Sequence, residues 1–167
     1  MAETWIVNAS PLIALGAIGR LDLLEASERT IVLPGAVVTE VLVGPATGGA
    51  HVALSRGWGA QRPEVSMRPE VLEWGLGSGE SAVLSLAMST SNAAAVLDDA
   101  AARRCARSLG IRLTGTLGVV LSAKLTGHID SAATIVRSLR DAGLYLDTSL
   151  IREALQRIVG ENWDDVP

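Results

Sequence analysis

The chain has 167 residues, the length of one domain that buries roughly two-thirds of the surface its unfolded form exposes. Apolar residues make up 49% of it and none is Phe, so an aliphatic core of helices packed on a sheet is expected, while four Trp and one Tyr are too few for a base-stacking platform. A net charge of −4 argues against a protein that coats nucleic acid non-specifically. The opening Met1–Trp5 carries neither a basic stretch nor a long apolar one, and no apolar run approaches the roughly 20 residues of a membrane span. A soluble, cytoplasmic protein without a membrane partner is expected. The single Cys105 rules out an internal disulfide and a cysteine cluster for zinc, and on a predicted helix it reads as core.

Trp5–Asn8 is the first short apolar run, and Ser10-Pro11 opens a helix after it, with Pro at an early position where its missing N–H costs nothing. Ile31–Leu33 is the second run, followed by a helix from Pro34 that Gly44 closes. Residues 45–75 read as a variable insertion or a cover over the site, rich in Gly, Pro and Arg up to Pro69, with a short helix around His51–Arg56. A helix spans Gly79–Met88, a third strand Ala94–Leu97, and Ile111–Leu113 is a candidate fourth. Asp130 and Asp147 are expected to cap two C-terminal helices that Gly143 and Gly160 end. Residues 161–167 are expected to form a frayed acidic tail. Strands alternating with helices give a parallel sheet covered on both faces.

The most informative stretch is Ala93–Asp99, an apolar strand ending in two adjacent carboxylates, Asp98 and Asp99. In an open α/β sheet the carboxyl ends of the strands are where ligands bind. Glu80 shares a helical stripe with Val83, Leu84 and Ala87, so a carboxylate faces inward. A first-turn Glu favoured by the helix dipole accounts for its position but not for its facing. Glu40 borders the Val37 and Val41 stripe and can reach the sheet edge. Asn8 ends the first strand with an amide oxygen in place of a charge, and an N-capping role for Asn8 or Ser10 is the simpler reading of those two alone.

Taken together, Asn8, Glu40, Glu80, Asp98 and Asp99 form an oxygen-only set without His or Cys. Such hard ligands suit Mg2+ or Mn2+, which keep several waters and bind through a few carboxylates plus substrate phosphate. Immediately after the paired Asp, residues 100–129 hold five basic side chains, among them Arg103, Arg104 and Arg107, and no acidic one. A basic run beside a cation site suits a phosphate-bearing ligand; a solvated helix face is the equally simple alternative. The chain has no Gly-x-x-x-x-Gly-Lys-Ser/Thr. Gly75-Leu-Gly-Ser-Gly lacks the strand that a dinucleotide fingerprint requires, and His51 and His128 lack a triad context.

The ordered pieces Ile6–Leu15, Ile18–Leu24, Leu33–Glu40, Gly79–Ala87, Leu97–Asp99 with Arg103–Ala106, and Thr114–Val119 resemble a PIN domain. Within that family the chain is similar to short prokaryotic proteins related to the VapC-like toxins. The resemblance implies a three-layer α/β/α fold with a central parallel sheet of four to five strands, in one PIN-like domain over residues 1–160 followed by the tail. It implies a Mg2+- or Mn2+-dependent ribonuclease, often a toxin silenced by a cognate antitoxin protein and often a homodimer. Carried over by position, Asn8 stands where the first acid usually lies and Glu40 matches the second. Glu80 matches the third, Asp99 the strand-end acid with Asp98 beside it, and Ser10 and Thr116 supporting polar positions.

The resulting expectation is metal-assisted hydrolysis of RNA phosphodiesters, with Glu40, Glu80 and Asp99 holding the metal and Arg103, Arg104 or Arg107 positioning the RNA backbone. One alternative is a catalytically weak PIN-like module that binds RNA or a protein, because Asn8 replaces the usual first Asp. Another is a metal hydrolase acting on small phosphoesters.

Overall fold

The structure, a computed structural model, describes residues 2–165. Four strands, β1 (Thr4–Val7), β2 (Thr30–Val32), β3 (Ala93–Val96) and β4 (Leu113–Thr114), pair in parallel in the order β2-β1-β3-β4. Around them, among the described residues, are nine α-helices, completing a three-layer α/β/α arrangement. Strand β3 reads Ala-Ala-Ala-Val with every residue buried. That unbroken apolar run is what a parallel strand covered on both faces requires, and its short side chains let helices approach closely.

The helices follow the punctuation of the sequence. α1 covers Ala9–Ala17, α2 Gly35–Val43, α3 Gly49–Ser55, α4 Pro69–Leu72 and α5 Ser78–Ser89. α6 covers Ala100–Ser108, α7 Thr116–Leu125, α8 Ala132–Asp141 and α9 Thr148–Ala154, the last running into a π-helical turn at Leu155–Val159. Gly160 ends that turn in the left-handed region at φ 69°, and Asp147 caps α9 through Leu150 N–H, both as the sequence indicates. Cys105 is buried, and no helix among the described residues is long and apolar enough to cross a membrane.

Two expectations are corrected. Asp130 does not cap α8: Ser131 does, its Oγ accepting from Thr134 N–H at 3.2 Å. The start of the acidic tail is not frayed either. Glu161 accepts from Ser131 Oγ and from the N–H groups of Ala132 and Ala133, satisfying donors that the first turn of α8 leaves open. Trp163 is 6% exposed beneath the guanidinium of Arg137. Residues 166–167 of that tail lie outside the described residues.

The 45–75 stretch is tied down at several points. Ala50 and Leu54 of α3 are buried, α3 packs against α1 and α2, and Arg62 donates to the carbonyls of Leu54, Trp58 and Gly59. Leu33 N–H donates to Gln61 O and Gly35 N–H to Pro63 O, so the chain after α3 runs beside the end of β2.

The register aligns the carboxyl ends of the strands. Val7 pairs with Val96 and Val96 with Thr114; one step further on, Asn8 N–H donates to Val96 O at 2.9 Å and Leu97 N–H to Thr114 O at 3.0 Å. Strand order reverses between β1 and β3, the topological switch point where open α/β sheets leave a crevice. Asn8 and Asp98 stand at that point.

Candidate functional site

Asn8 follows the last residue of β1 and occupies the N-cap position of α1, yet its side chain makes no capping hydrogen bond. The residue is only 1% exposed, and Nδ2 donates across the sheet edge to Glu80 Oε1 at 3.4 Å. Oδ1 is buried without a partner. Leaving a buried acceptor unsatisfied costs about 1–3 kcal/mol, more than the ~1 kcal/mol a cap contributes, so simple capping does not account for this residue. Its side chain is turned toward carboxylates.

Glu80 lies in the first turn of α5, half-buried, on the side of the helix that also buries Val83, Leu84 and Ala87. Helix α5 packs on β1, β3 and α2. From α2, Glu40 reaches the same place: a β-carbon on Gly79 would lie 2.8 Å from Glu40 Oε2 and 3.2 Å from Asn8 Oδ1. Two oxygens therefore converge on one glycine. Burial, together with the nearby charge of Glu80, raises the Glu40 carboxyl above its ordinary pKa.

Asp98, at the end of β3, is held from α7. Thr116 Oγ1 donates to its Oδ2 at 2.6 Å and Thr116 N–H to its Oδ1 at 2.8 Å. Thr116 is fully buried and starts α7, so this carboxylate also draws on a helix N-terminus. Asp99 differs: it is exposed and caps α6, its Oδ2 accepting from Ala102 N–H at 2.8 Å.

The expected set is thus brought together in part. Asn8, Glu40 and Glu80 form one group, with Asp98 and Thr116 at the neighbouring strand end. Among the described residues no three His, Cys, Asp or Glu side chains gather into a group able to hold a metal ion. Asp99 is occupied with its helix, and Ser10 is an exposed second residue of α1. Arg103 is turned inward, Nη1 donating to Leu97 O at 3.0 Å, and burial, with the charge of Arg107, lowers its pKa. Arg104 and Arg107 are exposed on α6.

Two carboxylates and an unpartnered amide oxygen make a hard, oxygen-only donor set. Mg2+ demands little more than this from a protein, since it keeps several waters and takes one or two carboxylates plus phosphate oxygens. The residues therefore fit such an ion. The glycine on which the oxygens converge carries no sequence signature of chemistry; its one signal is Gly in the first turn of a helix, where Ala is the better helix former.

A family model described as a PIN domain matches residues 4–160. No curated protein matches the chain.

Proposed function

The chain belongs to the PIN-domain family, whose members are generally nucleases, and from that premise we propose that it is a Mg2+- or Mn2+-dependent ribonuclease. The observation that carries this reading is Asn8: a fully buried side chain that declines its capping bond, donates to Glu80 and leaves Oδ1 unpartnered over Gly79, toward which Glu40 Oε2 also reaches.

Asn8, Glu40 and Glu80 would hold the divalent cation, and Asp98, at the neighbouring strand end and outside that group, would face the substrate phosphate or its water from the next strand. When bound, such a cation lowers the pKa of a coordinated water and neutralises charge developing on the scissile phosphate. Glu80 keeps the Asn8 amide in one orientation by accepting from Nδ2, so Oδ1 points into the site. Thr116 fixes both oxygens of Asp98, and Arg103 braces the same strand end through Leu97 O. Arg104 and Arg107, exposed on α6, take the RNA backbone, since a guanidinium makes planar two-point contacts with phosphate.

Asp98 rather than Asp99 is assigned the strand-end role. It is half-buried and locked by Thr116, whereas Asp99 is exposed and spends an oxygen on its own helix. Family resemblance supports a toxin of a toxin–antitoxin pair, with a protein antitoxin and a homodimeric state. Tyr145, Leu150 and Ile158 are large apolar side chains exposed near the C-terminus, available to such a contact.

The test is incubation of a mixed RNA pool with the full chain and Mn2+, with and without chelator, alongside a chromogenic phosphomonoester. Metal-dependent loss of RNA with the phosphomonoester left intact supports the reading. Turnover of the phosphomonoester alone supports a phosphatase, and no turnover of either supports a binding module.

A further inference from the structure

Three glycines underlie the acidic group. Gly77 precedes α5, and a β-carbon there would lie 2.5 Å from Glu80 Oε2; one on Gly115, before α7, would lie 2.7 Å from Asp98 Oδ1 and 3.0 Å from Arg103 Nη1. Gly79 has the same relation to Glu40 and Asn8. None of the three has the left-handed backbone that favours glycine. Their conformations would admit Ala, so what they provide is space.

Gly79 is the second residue of α5 and buried, a place where Ala would strengthen the helix and reduce the freedom of the unfolded chain. The nearest atoms a β-carbon would meet are the tips of two side chains and not backbone, so the fold can accommodate it. Glu40 Oε2 cannot stay where it is, and Asn8 Oδ1 must give by a few tenths of an ångström. We infer that Gly79 is a positioning residue of the site, its missing side chain leaving the bed in which Glu40 Oε2 and Asn8 Oδ1 face one point. This inference rests on the metal-dependent reading above.

Gly35 is the matched comparison. It begins α2 without a left-handed backbone, and a β-carbon there would lie 2.7 Å from Glu64 Oε1, again the tip of a flexible carboxylate but outside the acidic group. The experiment titrates Mn2+ calorimetrically into the full chain as wild type, Gly79→Ala and Gly35→Ala, with the metal-free Tm of each. Gly79→Ala is expected to bind Mn2+ about 10- to 100-fold more weakly, the usual effect of disturbing groups that support metal ligands. Its metal-free Tm is expected to be unchanged or higher, and Gly35→Ala to keep wild-type affinity. Wild-type affinity in Gly79→Ala, a weakened affinity accompanied by a lower metal-free Tm, or an equal loss in Gly35→Ala overturns the inference. Failure of the wild type itself to take up Mn2+ overturns the metal reading and removes this inference with it.

Discussion

Glu40 Oε2 and Asn8 Oδ1 meet over Gly79, 2.8 and 3.2 Å from the place its β-carbon would take, and with Glu40 ionised neither atom is a donor. Asn8 Oδ1 is buried without a donor, and an unsatisfied buried acceptor costs stability in the metal-free protein. A cation bound there would remove that cost.

The first consequence concerns Glu40 and pH. Its folded pKa is raised by burial and by the charge of Glu80, so its contribution favours the folded state in acid and is lost as pH rises through that folded value. Glu40→Gln is therefore expected to raise the metal-free Tm at neutral pH and to lose the advantage near pH 4. Because Glu40 is only partly covered and the residue as a whole is exposed, solvent screens the effect and the gain stays below about 1 kcal/mol, at most roughly 2–4 °C for a chain of this length. Thermal melts in chelator across that pH range check it; a Tm lowered at neutral pH contradicts it.

Asn8 and Glu80 provide a second test. Asn8→Asp removes the donor at 3.4 Å from Glu80 Oε1 and puts a third negative charge in the group. The metal-free protein is expected to lose about 1–3 kcal/mol, with Mn2+ restoring more Tm than it adds to the wild type. Melts with and without Mn2+ measure both. If Asn8→Asp also raised cleavage by orders of magnitude, the wild-type site would be a weakened one and the binding-module reading would gain.

Asp98 and Asp99, adjacent in sequence, are expected to separate cleanly. Asp99→Ala removes the cap on α6 and should cost about 1 kcal/mol of stability while Mn2+ affinity persists. Asp98→Asn should leave the fold in place and lower RNA cleavage by about 10²-fold, the scale of one well-placed group acting on developing charge. The opposite pattern, with cleavage lost in Asp99→Ala and kept in Asp98→Asn, would return the strand-end role to Asp99.

Glu161 tests the C-terminal anchor independently of any activity. Burial opposes its ionisation, but the Ala132 N–H, the Ser131 hydroxyl and the Ala133 N–H outweigh it and hold its pKa below the ordinary range. Its stabilisation is thus present above the usual Glu pKa and lost as pH falls through the lowered folded value. Glu161→Ala is expected to cost about 1–2 kcal/mol at neutral pH and progressively less in acid. A Tm unaffected at neutral pH would show that the contacts to α8 contribute nothing.

Much of this arrangement is legible in the residues themselves. Continuous apolar runs locate the strands, and the stripe of Glu80 with Val83, Leu84 and Ala87 identifies an inward carboxylate from spacing alone. What pattern does not resolve is choice between neighbours. Asp98 and Asp99 both follow a strand, and only the register with β4 and the reach of Thr116 assign one to the edge and the other to a cap. Ser131 rather than Asp130 caps α8 for a similar reason, since both residue types serve and one step of backbone decides. Arg103 reads as a surface cation from its segment, yet Leu97 O draws it inward. Glu161 looks like tail because its partners lie about thirty residues earlier, and long-range pairing leaves no local signature.

The central claim is tested most directly by RNA cleavage in Mn2+ with wild type and Glu80→Gln, both shown to be folded by their melts. The wild type is expected to cleave and to stop on chelation, and Glu80→Gln to fall by about 10²-fold. Equal cleavage by the two proteins, or cleavage that survives the chelator, would contradict it.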